Sequence, residues 1–535
     1  AQATLPLPFP ALLVLLDWHA GGRGFPQCDA MGWLLILAAF SPLRLAGAAG
    51  EPFCAALRNH DIFSTVGVQV GTPPQNFDLV VDTGSNSLIV QSCVCQELRS
   101  CPTSFGRCFR GKGHSSTFSL PRTSSSNEEG DVRVLILSYG SGDIEALPAS
   151  DKVSIGDAVA MMNSSLLLMV SQALSFTSLE FEGILGLGIP NMTAAATSLS
   201  SNRTQPLQVP TFLETAGVAR FSLCFNLASD GVLGLNPPKQ AAALASTSSQ
   251  HWAVNLTGIH VGGHLLADYG SAAWPASSVI PDSGTTLITG PQKQVALLLD
   301  SICDNWERCR RMKADLTAAL TALTAGDVRP GRIASAGRFF DRVISSFKQS
   351  SAASQRSNSN SSEGAQALHI LLQDCDRLIK EENFNPDDEL PTIKLRLQGA
   401  DGKQEEISLP PSSYVAEMPM DVWVWTTEYL LGILPYWWPH HEVETTCATL
   451  FGAADYVLDW LGSVWILGTP VFYNHRVHFD IGPSPSISFS RDACGSCEDG
   501  QQTSELALLQ GLPRLRELRR PPRLAWPKGA VSADI

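Results

Sequence analysis

The sequence has no excess of positive charge. Its 37 Lys and Arg residues are outnumbered by 51 Asp and Glu residues, which gives a formal net charge of −14 at pH 7. Proteins that bind nucleic acid need a basic surface, so this charge argues against a nucleic-acid partner. It suits a protein that works at mildly acidic pH, and it equally suits simple solubility.

The sequence also lacks an apolar run that predicts a transmembrane helix. Residues 34–40 are apolar but too few to span a bilayer. They follow Met31 and precede the small residues 45–50, as in a signal peptide, although a basic start is missing. We therefore expect an upstream segment at 1–50, with a signal peptide at 31–50, and no transmembrane anchor.

Cysteine, in contrast, is plentiful. Thirteen Cys residues indicate an oxidising compartment. Asn-x-Ser/Thr sequons fit the same compartment and lie at Asn163, Asn191, Asn202, Asn255 and Asn360. We expect a disulfide-bonded glycoprotein of the secretory pathway, either secreted or held in an acidic vacuolar or lysosome-like compartment.

Two short segments carry the strongest functional signal. The first is residues 82–85, Asp-Thr-Gly-Ser, directly after the apolar run 77–81. The second is residues 282–285, Asp-Ser-Gly-Thr, directly after the apolar residues 279–281. Each predicts a buried strand that delivers an Asp into a tight turn containing Gly. One such segment usually marks an ordinary turn. Two copies are what a bilobed enzyme needs if each lobe contributes one carboxylate to a shared site.

Further segments extend the pattern. An apolar-apolar-Gly element follows each Asp turn, and a Gly-rich hairpin sequence lies between the first turn and its element. These segments are residues 66–73, 138–142, 181–188, 390–414 and 464–468. Together with the two turns they resemble the pepsin-like aspartic proteases over roughly residues 60–490, and the branch resembled is plasmepsin V-like or beta-secretase-like. The resemblance implies an all-β, bilobed pepsin-like aspartic protease fold.

The domain organisation follows from that resemblance. We expect an N-terminal lobe at 51–245, a C-terminal lobe at 246–490 and a solvated tail at 491–535. The interval from the second Asp turn to its apolar-Gly element is much longer than the first interval. We therefore expect a partly helical insertion at about 303–385 in the C-terminal lobe, with helices at 314–323 and 367–380. The aromatic-rich stretch 422–438 is predicted to be lobe core plus a loop that lines the cleft or touches a membrane.

The resemblance also assigns roles around the two turns. Asp82 and Asp282 are the expected catalytic pair, because two close carboxylates that share one proton can serve as both base and acid towards a water. The supporting residues are expected to hold the carboxylates, allow close backbone approach and join the lobes beneath the pair; they are Thr83, Gly84, Ser85, Ser283, Gly284 and Thr285.

A flap is expected to cover the pair. Tyr139, Gly140 and Ser141 match the family's flap, where they would contact the substrate. Many members place a Trp after the first turn as the partner of the flap Tyr. Here Ile89 occupies that position, so flap mobility and pocket shape are open.

The remaining Cys residues are expected to form structural bridges. Cys375 and Cys447 resemble the family's bridge in the C-terminal lobe, and Cys303 and Cys309 are candidates to close a small loop. The cluster Cys93, Cys95, Cys101 and Cys108 allows either disulfides or a zinc site; its irregular spacing and the compartment favour disulfides. We expect neither a metal nor a cofactor.

These observations favour an aspartic endopeptidase that acts as a monomer on peptides or proteins. The alternative is a catalytically inactive binding protein on the same fold, since fold alone does not fix function. Such relatives usually lose an Asp, a turn Gly or the flap Tyr, and all of these are present. Few residues separate Gly50 from the strand expected after Ile62, so we expect activity without removal of a covering segment.

Overall fold

A computed structural model describes residues 52–101, 107–121, 133–174, 181–190, 193–198, 204–227, 229–271, 274–324, 362–430, 434–458 and 461–497. All of these residues belong to one compact unit, Ala49–Ile535. The predicted signal peptide, the C-terminal tail beyond 497 and part of the insertion lie outside the described residues.

Strands dominate the described chain. The strands before the second Asp turn are β1 (Phe53–Asn59), β2 (Ser64–Val70), β3 (Gln75–Asp82), β4 (Leu88–Gln91), β5 (Arg133–Tyr139), β6 (Gly142–Ile155), β7 (Ala158–Leu174), β8 (Gly183–Gly186), β9 (Thr193–Ser198), β10 (Thr204–Gln208), β11 (Arg220–Cys224), β12 (Gly231–Leu235), β13 (Leu244–Ala245), β14 (Val254–Val261), β15 (His264–Asp268) and β16 (Ser277–Pro281). Those that follow are β17 (Ile288–Gly290), β18 (Ile393–Gln398), β19 (Gln404–Leu409), β20 (Val415–Leu430), β21 (Leu434–Thr449), β22 (Phe451–Ala453), β23 (Val457–Leu458), β24 (Gly462–Leu467), β25 (Arg476–Asp480) and β26 (Ser486–Ser490).

Helices are shorter and lie mostly in the second half of the chain. They are α1 (Cys93–Glu97), α2 (Phe212–Thr215), α3 (Gln292–Asp304), α4 (Glu307–Thr324), α5 (Glu363–Gln373), α6 (Cys375–Glu382), α7 (Pro386–Glu389), α8 (Pro411–Tyr414) and α9 (Thr469–Asn474). Within the described ranges no helix is both long enough and apolar enough to cross a membrane.

The strands form two large sheets. The first has 15 strands in the order β10-β9-β5-β6-β7-β4-β8-β3-β2-β1-β12-β11-β25-β26-β13, and the second has nine, with the path β19-β18-β14-β16-β24-β17-β22. The lobe boundary near residue 245 stays a prediction. Strands β25 and β26, which we placed in the C-terminal lobe, extend the first sheet through pairing of β25 with β11.

Side-chain alternation explains why these segments form strands. In β2 the valines at 66, 68 and 70 are buried while Gly67 and Gln69 are exposed, which is the period of two expected for a strand with one face on the core. In β3, Phe77, Leu79 and Val81 are buried in the same way. The apolar run before the first Asp therefore anchors that Asp to the interior.

The sheet begins earlier than the sequence indicated. Strand β1 precedes the expected first strand and pairs with both β12 and β2. Within it, Cys54 forms a disulfide with Cys497. Residues 53–59 are therefore part of the folded body, and their removal would take an interior strand out of the sheet and break a covalent link.

The insertion is helical where it is described. Helices α4, α5 and α6 cover the two segments that the sequence predicted to be helical. Disulfides Cys303–Cys309 and Cys375–Cys447 tie α3 to α4 and α6 to β21. Arg308 adds a charged link, because its guanidinium donates to the carboxylates of Glu382 and Glu389.

The aromatic-rich stretch, predicted to be lobe core plus a loop, forms strands. It lies in the hairpin of β20 and β21, which pair in register from Val415 with Thr449 to Leu430 with Leu434. In the described part of the chain this ribbon forms its own two-stranded sheet and joins neither large sheet.

Candidate active site

The first Asp turn fixes one carboxylate at both oxygens. Asp82 ends β3, whose parallel neighbour β8 places Gly186 opposite it. The Gly84 amide donates to Asp82 Oδ1 at 2.9 Å, and the Ser85 hydroxyl donates to Oδ2. The backbone is held as well, since the Leu187 amide donates to the Asp82 carbonyl at 2.7 Å.

The second Asp turn repeats this arrangement. Strand β16 ends at Pro281, opposite Leu467 on the parallel strand β24. The Gly284 amide donates to Asp282 Oδ1 at 2.9 Å, and Thr285 Oγ1 donates to Oδ2 at 2.7 Å. The turn residues that the sequence assigned to this task therefore stand where they hold each carboxylate.

A reciprocal set of hydrogen bonds joins the two turns. The Thr83 amide donates to Ser283 Oγ at 3.1 Å, and the Ser283 amide donates to Thr83 Oγ1 at 3.0 Å. Thr83 Oγ1 in turn donates to the Pro281 carbonyl at 2.9 Å, and Ser283 Oγ donates to the Val81 carbonyl at 2.8 Å. Thr83 and Ser283 are 1% and 0% exposed. This network fixes the distance between the two turns because water does not compete for it.

The two turn glycines make the close approach of the carboxylates possible. A β-carbon added to Gly84 would lie 2.7 Å from Oδ2 of Asp282. A β-carbon on Gly284 would overlap Oδ1 of Asp82. Any larger residue at either position would therefore push the opposite carboxylate away.

The pair is expected to keep one proton at pH values well above those at which a carboxyl group ordinarily ionises. Burial, and then the charge of Asp282, raise the pKa of Asp82 to about 7. The hydrogen bonds from Ser85 and Gly84 oppose that rise, because they favour the charged carboxylate. Asp282 acts on Asp82 through its charge and through hydrogen bonding, and both effects raise the pKa of Asp82, as expected for two carboxyl groups that share one proton.

The flap Tyr lies over the first carboxylate. Tyr139 ends β5 at the hairpin with β6, and its ring packs against the cluster that contains the fully buried Ile89. Its hydroxyl lies near Ser85 and the Asp82 carboxylate. Burial and the charge of Asp82 raise the pKa of Tyr139 far above its ordinary value, so the phenol stays protonated. Ser85 therefore lies beside the flap Tyr. Ile89 occupies the position at which many family members have a Trp as the partner of that Tyr.

The rest of the flap tip is open to solvent. Gly140 is exposed and Ser141 is half-buried between the paired residues Tyr139 and Gly142. Gly142 has a φ of +135°, and a β-carbon there would overlap the Ala173 carbonyl. Glycine at 142 is therefore required by both backbone conformation and space.

Several supporting contacts were not predicted. The Trp252 indole donates to the Leu187 carbonyl at 2.9 Å, and Thr286 Oγ1 donates to the Ile62 carbonyl at 3.0 Å. Trp465, in the second apolar-Gly element, donates to Gln294 Oε1 at 2.8 Å. Each contact joins residues far apart in sequence, and only the Trp identities hinted at them.

The cysteine cluster beside the first turn is paired. Cys93 bonds to Cys108, and Cys95 bonds to Cys101. A sulfur in a disulfide is not the thiolate that zinc binds. Across the described ranges, no three His, Cys, Asp or Glu side chains come together as a metal site. A further disulfide that the sequence did not suggest joins Cys224 to Cys494.

Comparison with known proteins identifies the family. The family described as eukaryotic aspartyl protease matches residues 65–489. Aspartic proteinase oryzasin-1 of Oryza sativa subsp. japonica is 26% identical over 312 residues, which cover 54% of this chain and 55% of that protein. Napsin-A of Mus musculus is 30% identical over 275 residues, covering 48% and 59%. Pepsin A-5 of Mus musculus is 27% identical over 245 residues, covering 45% and 58%.

The chain spans little more than half the length of each of these relatives. The family match nevertheless covers most of the chain, including both Asp turns, the flap and both apolar-Gly elements. It confirms the predicted all-β, bilobed fold with a helical insertion, while the branch within the family stays a prediction. The chain therefore belongs to the eukaryotic aspartyl proteases of the pepsin-like type.

Proposed function

We propose that this protein is an aspartic endopeptidase that hydrolyses peptide bonds with a water activated by Asp82 and Asp282. The observation that carries the proposal is the pair of carboxyl groups, each held by an equivalent amide and hydroxyl and each lying against the glycine of the opposite turn. A pair with one shared proton supplies a base and an acid at the same point. Family membership supports the same reaction.

The chemistry follows from the protonation of the pair. A water between the two groups gives a proton to the ionised carboxylate as its oxygen attacks the peptide carbonyl carbon. The protonated carboxyl gives its proton to the carbonyl oxygen, which yields a neutral tetrahedral diol. When the C–N bond breaks, the protonated carboxyl of the pair gives its proton to the leaving nitrogen, and one diol proton passes to the ionised carboxylate. One acid and one amine are formed, and the pair again holds one proton.

The flap supplies the cover that this reaction needs. Tyr139 lies beside Asp82 and stays neutral, so it can donate a hydrogen bond without adding charge to the pair. A substrate that enters between the flap and the pair loses its contact with bulk water, and the charges developing on the carbonyl oxygen are then less screened. We assign Tyr139, Gly140 and Ser141 to substrate contact.

The compartment is proposed on separate grounds. Twelve of the Cys residues form six disulfides within the described ranges. Sequon residues Asn163 and Asn255 are exposed, as glycosylation requires. Both features support an oxidising, secretory location, and a secreted or acidic vacuolar site of action.

Hydrolysis of a peptide library by the purified protein tests the proposal. We expect new amino and carboxyl termini in the products by mass spectrometry, and we expect a statine-type mimic to block cleavage because its hydroxyl replaces the attacking water. Binding of the mimic without any cleavage, at acidic and at neutral pH, would instead favour the inactive binding protein. Absence of both binding and cleavage would overturn the assignment of the pair.

A further inference from the structure

The second Asp turn is also held by the first residue of helix α9. Thr469 begins α9, directly after the second apolar-Gly element. Its amide donates to the Thr285 carbonyl at 2.8 Å, and its Oγ1 donates to the Thr286 carbonyl at 3.0 Å. Thr469 is 3% exposed, so water competes little for these bonds. The start of α9 therefore fixes the backbone that carries the hydroxyl bonded to Asp282.

The other end of α9 reaches the tight turn between β1 and β2. The Tyr473 hydroxyl lies 3.1 Å from the Asp61 carbonyl and 3.2 Å from Asn59 Oδ1, and both of these acceptors belong to that turn. The Tyr473 ring packs edge-on against Phe225, with ring centroids 5.6 Å apart. Tyr473 is therefore anchored by its ring and hydrogen-bonded by its hydroxyl.

The turn at 59–63 is itself rigid. Asn59 Oδ1 accepts from the Asp61 amide at 2.7 Å, and Asp61 has a φ of +65°, a conformation that few residues other than glycine adopt. The Ile62 amide donates to the His60 carbonyl at 2.8 Å, and the His60 ring stacks on Phe63 with centroids 4.8 Å apart. A displacement at Asp61 is therefore passed on to Ile62.

A last hydrogen bond closes these contacts on themselves. Thr286 Oγ1 donates to the Ile62 carbonyl at 3.0 Å. The path runs from the second Asp turn through Thr469 and α9 to Tyr473, and then through turn 59–63 back to Thr286. We call this closed path the brace. Two of its bonds join positions 224 and 412 residues apart, so the brace ties the start of the first sheet to the second Asp turn.

We propose that Tyr473 and Thr286 are positioning residues that keep the second Asp turn, and with it the Asp282 carboxylate, in its working geometry. The inference rests on the proposed function only for the reaction that this geometry serves. Neither residue takes part in the chemical step. When the brace is opened, Thr285 is held less firmly, and its hydroxyl is one of the two donors that align Asp282.

The first Asp turn provides an internal reference. Its Ser85 carbonyl accepts from the Gly188 amide at 2.6 Å, and Gly188 has no side chain to extend this link. The brace runs through the second turn, so its opening should loosen that turn and leave the amide of Gly84 as it was.

Hydrogen exchange of the turn amides tests the proposal without any substrate. Tyr473→Phe and Thr286→Val each remove one hydroxyl and keep the shape of the side chain. We expect each variant to raise the exchange of the Gly284 and Thr285 amides by about three- to tenfold, the range that corresponds to one modest hydrogen bond. Unchanged exchange in both variants, or an equal rise at Gly84, would overturn the proposal.

The double variant distinguishes a closed path from two independent contacts. Once the brace is open at one point, a second opening should add little, so the double variant should exchange like the single ones. Independent contacts would multiply the two increases, and that result would contradict the proposal. Matched controls are Tyr414→Phe and Thr257→Val, since these hydroxyls donate to carbonyls outside the brace. The same increase at 284–285 in a control would also contradict it.

Peptide hydrolysis provides the second readout. We expect kcat to fall by about three- to tenfold in each single variant and no further in the double variant, with KM unchanged. Thr286→Ser keeps the hydroxyl and should recover most of the loss. A merely structural role would lower the free energy of unfolding and leave kcat unchanged. If the wild type does not cleave, the proposed function fails, while the exchange result still decides whether the brace holds the turn.

Discussion

Asp82 and Asp282 each accept one hydrogen bond from the amide of the Gly two residues later and one from the hydroxyl of the residue after that Gly. Each also lies at the end of a strand whose parallel neighbour leads into Ile-Leu-Gly, residues 184–186 and 466–468. Above the turns the likeness ends. Tyr139 lies near Asp82 and Ser85, and Asp82 is 6% exposed. Asp282, in contrast, is half-buried.

The residues below the turns differ as well. Gly183 precedes the first Ile-Leu-Gly, and a β-carbon there would overlap the Ile89 carbonyl. Trp465 precedes the second, and its indole donates to Tyr269 and Gln294. Two turns with the same local hydrogen bonds thus acquire different burial from their neighbours. The comparison teaches that turn chemistry sets the geometry of the carboxylates, and packing sets their protonation.

The largest effect is expected at the turn glycines, where the two halves meet. Gly84→Ala and Gly284→Ala should each lower kcat by about a hundredfold or more, since a displaced carboxylate loses its alignment. Peptide hydrolysis at saturating substrate measures the change. Gly67→Ala is the control, because Gly67 has nothing within 4 Å of an added β-carbon. Similar activity in all three variants would mean that the close approach of the turns does not matter.

A smaller effect is expected for the hydroxyls that join the turns. Thr83→Ala and Ser283→Ala each remove one buried donor and leave one amide without a partner, which should lower the free energy of unfolding by about 1–3 kcal/mol. Because the network is reciprocal, the two losses should be equal. Chemical denaturation measures them, with Ser116→Ala as an exposed hydroxyl control. Strongly unequal losses of unfolding free energy would mean that Thr83 and Ser283 do not contribute equally to the link between the turns.

The smallest effect concerns protonation, where the halves should differ. The pKa of Asp82 is raised to about 7, so kcat/KM should fall as pH rises through about 7 and the pair loses its shared proton. Ser85→Ala removes a hydrogen bond that favours the charged carboxylate, so this limb should move up by about one pH unit. Thr285→Ala should move it less. A downward shift of this limb in Ser85→Ala would contradict the view that the Ser85 hydrogen bond favours the charged form of Asp82.

Local chemistry made much of this site predictable from sequence. The run 77–81 and the turn 82–85 specify a strand and a tight turn from residues that are neighbours in the chain. The second turn was read in the same way from residues 279–285, and the family resemblance then supplied the flap. Contacts that depend on how distant segments pack were out of reach, such as the hydrogen bonds from the Trp252 indole to the Leu187 carbonyl and from Thr286 to the Ile62 carbonyl.

The fold shows the same division. Alternation in β2 and β3 is readable in the sequence, but the pairing of Cys54 with Cys497 joins positions 443 apart, and no local pattern indicates it. Strand β1 was missed because its partners β2 and β12 define it. The stretch 422–438 was predicted to be lobe core plus a loop, and backbone pairing places it in the ribbon of β20 and β21.

The most direct test of the account compares Asp82→Asn, Asp282→Asn and the double variant in single-turnover peptide cleavage, with the exposed Asp157→Asn as control. The account predicts that each single variant loses about 10⁴-fold or more in rate and that the double variant is no worse, because residues that act as one unit are not additive. The control should cleave like wild type. A single variant that keeps activity within about tenfold of wild type would contradict the claim that the two carboxyl groups act as one pair.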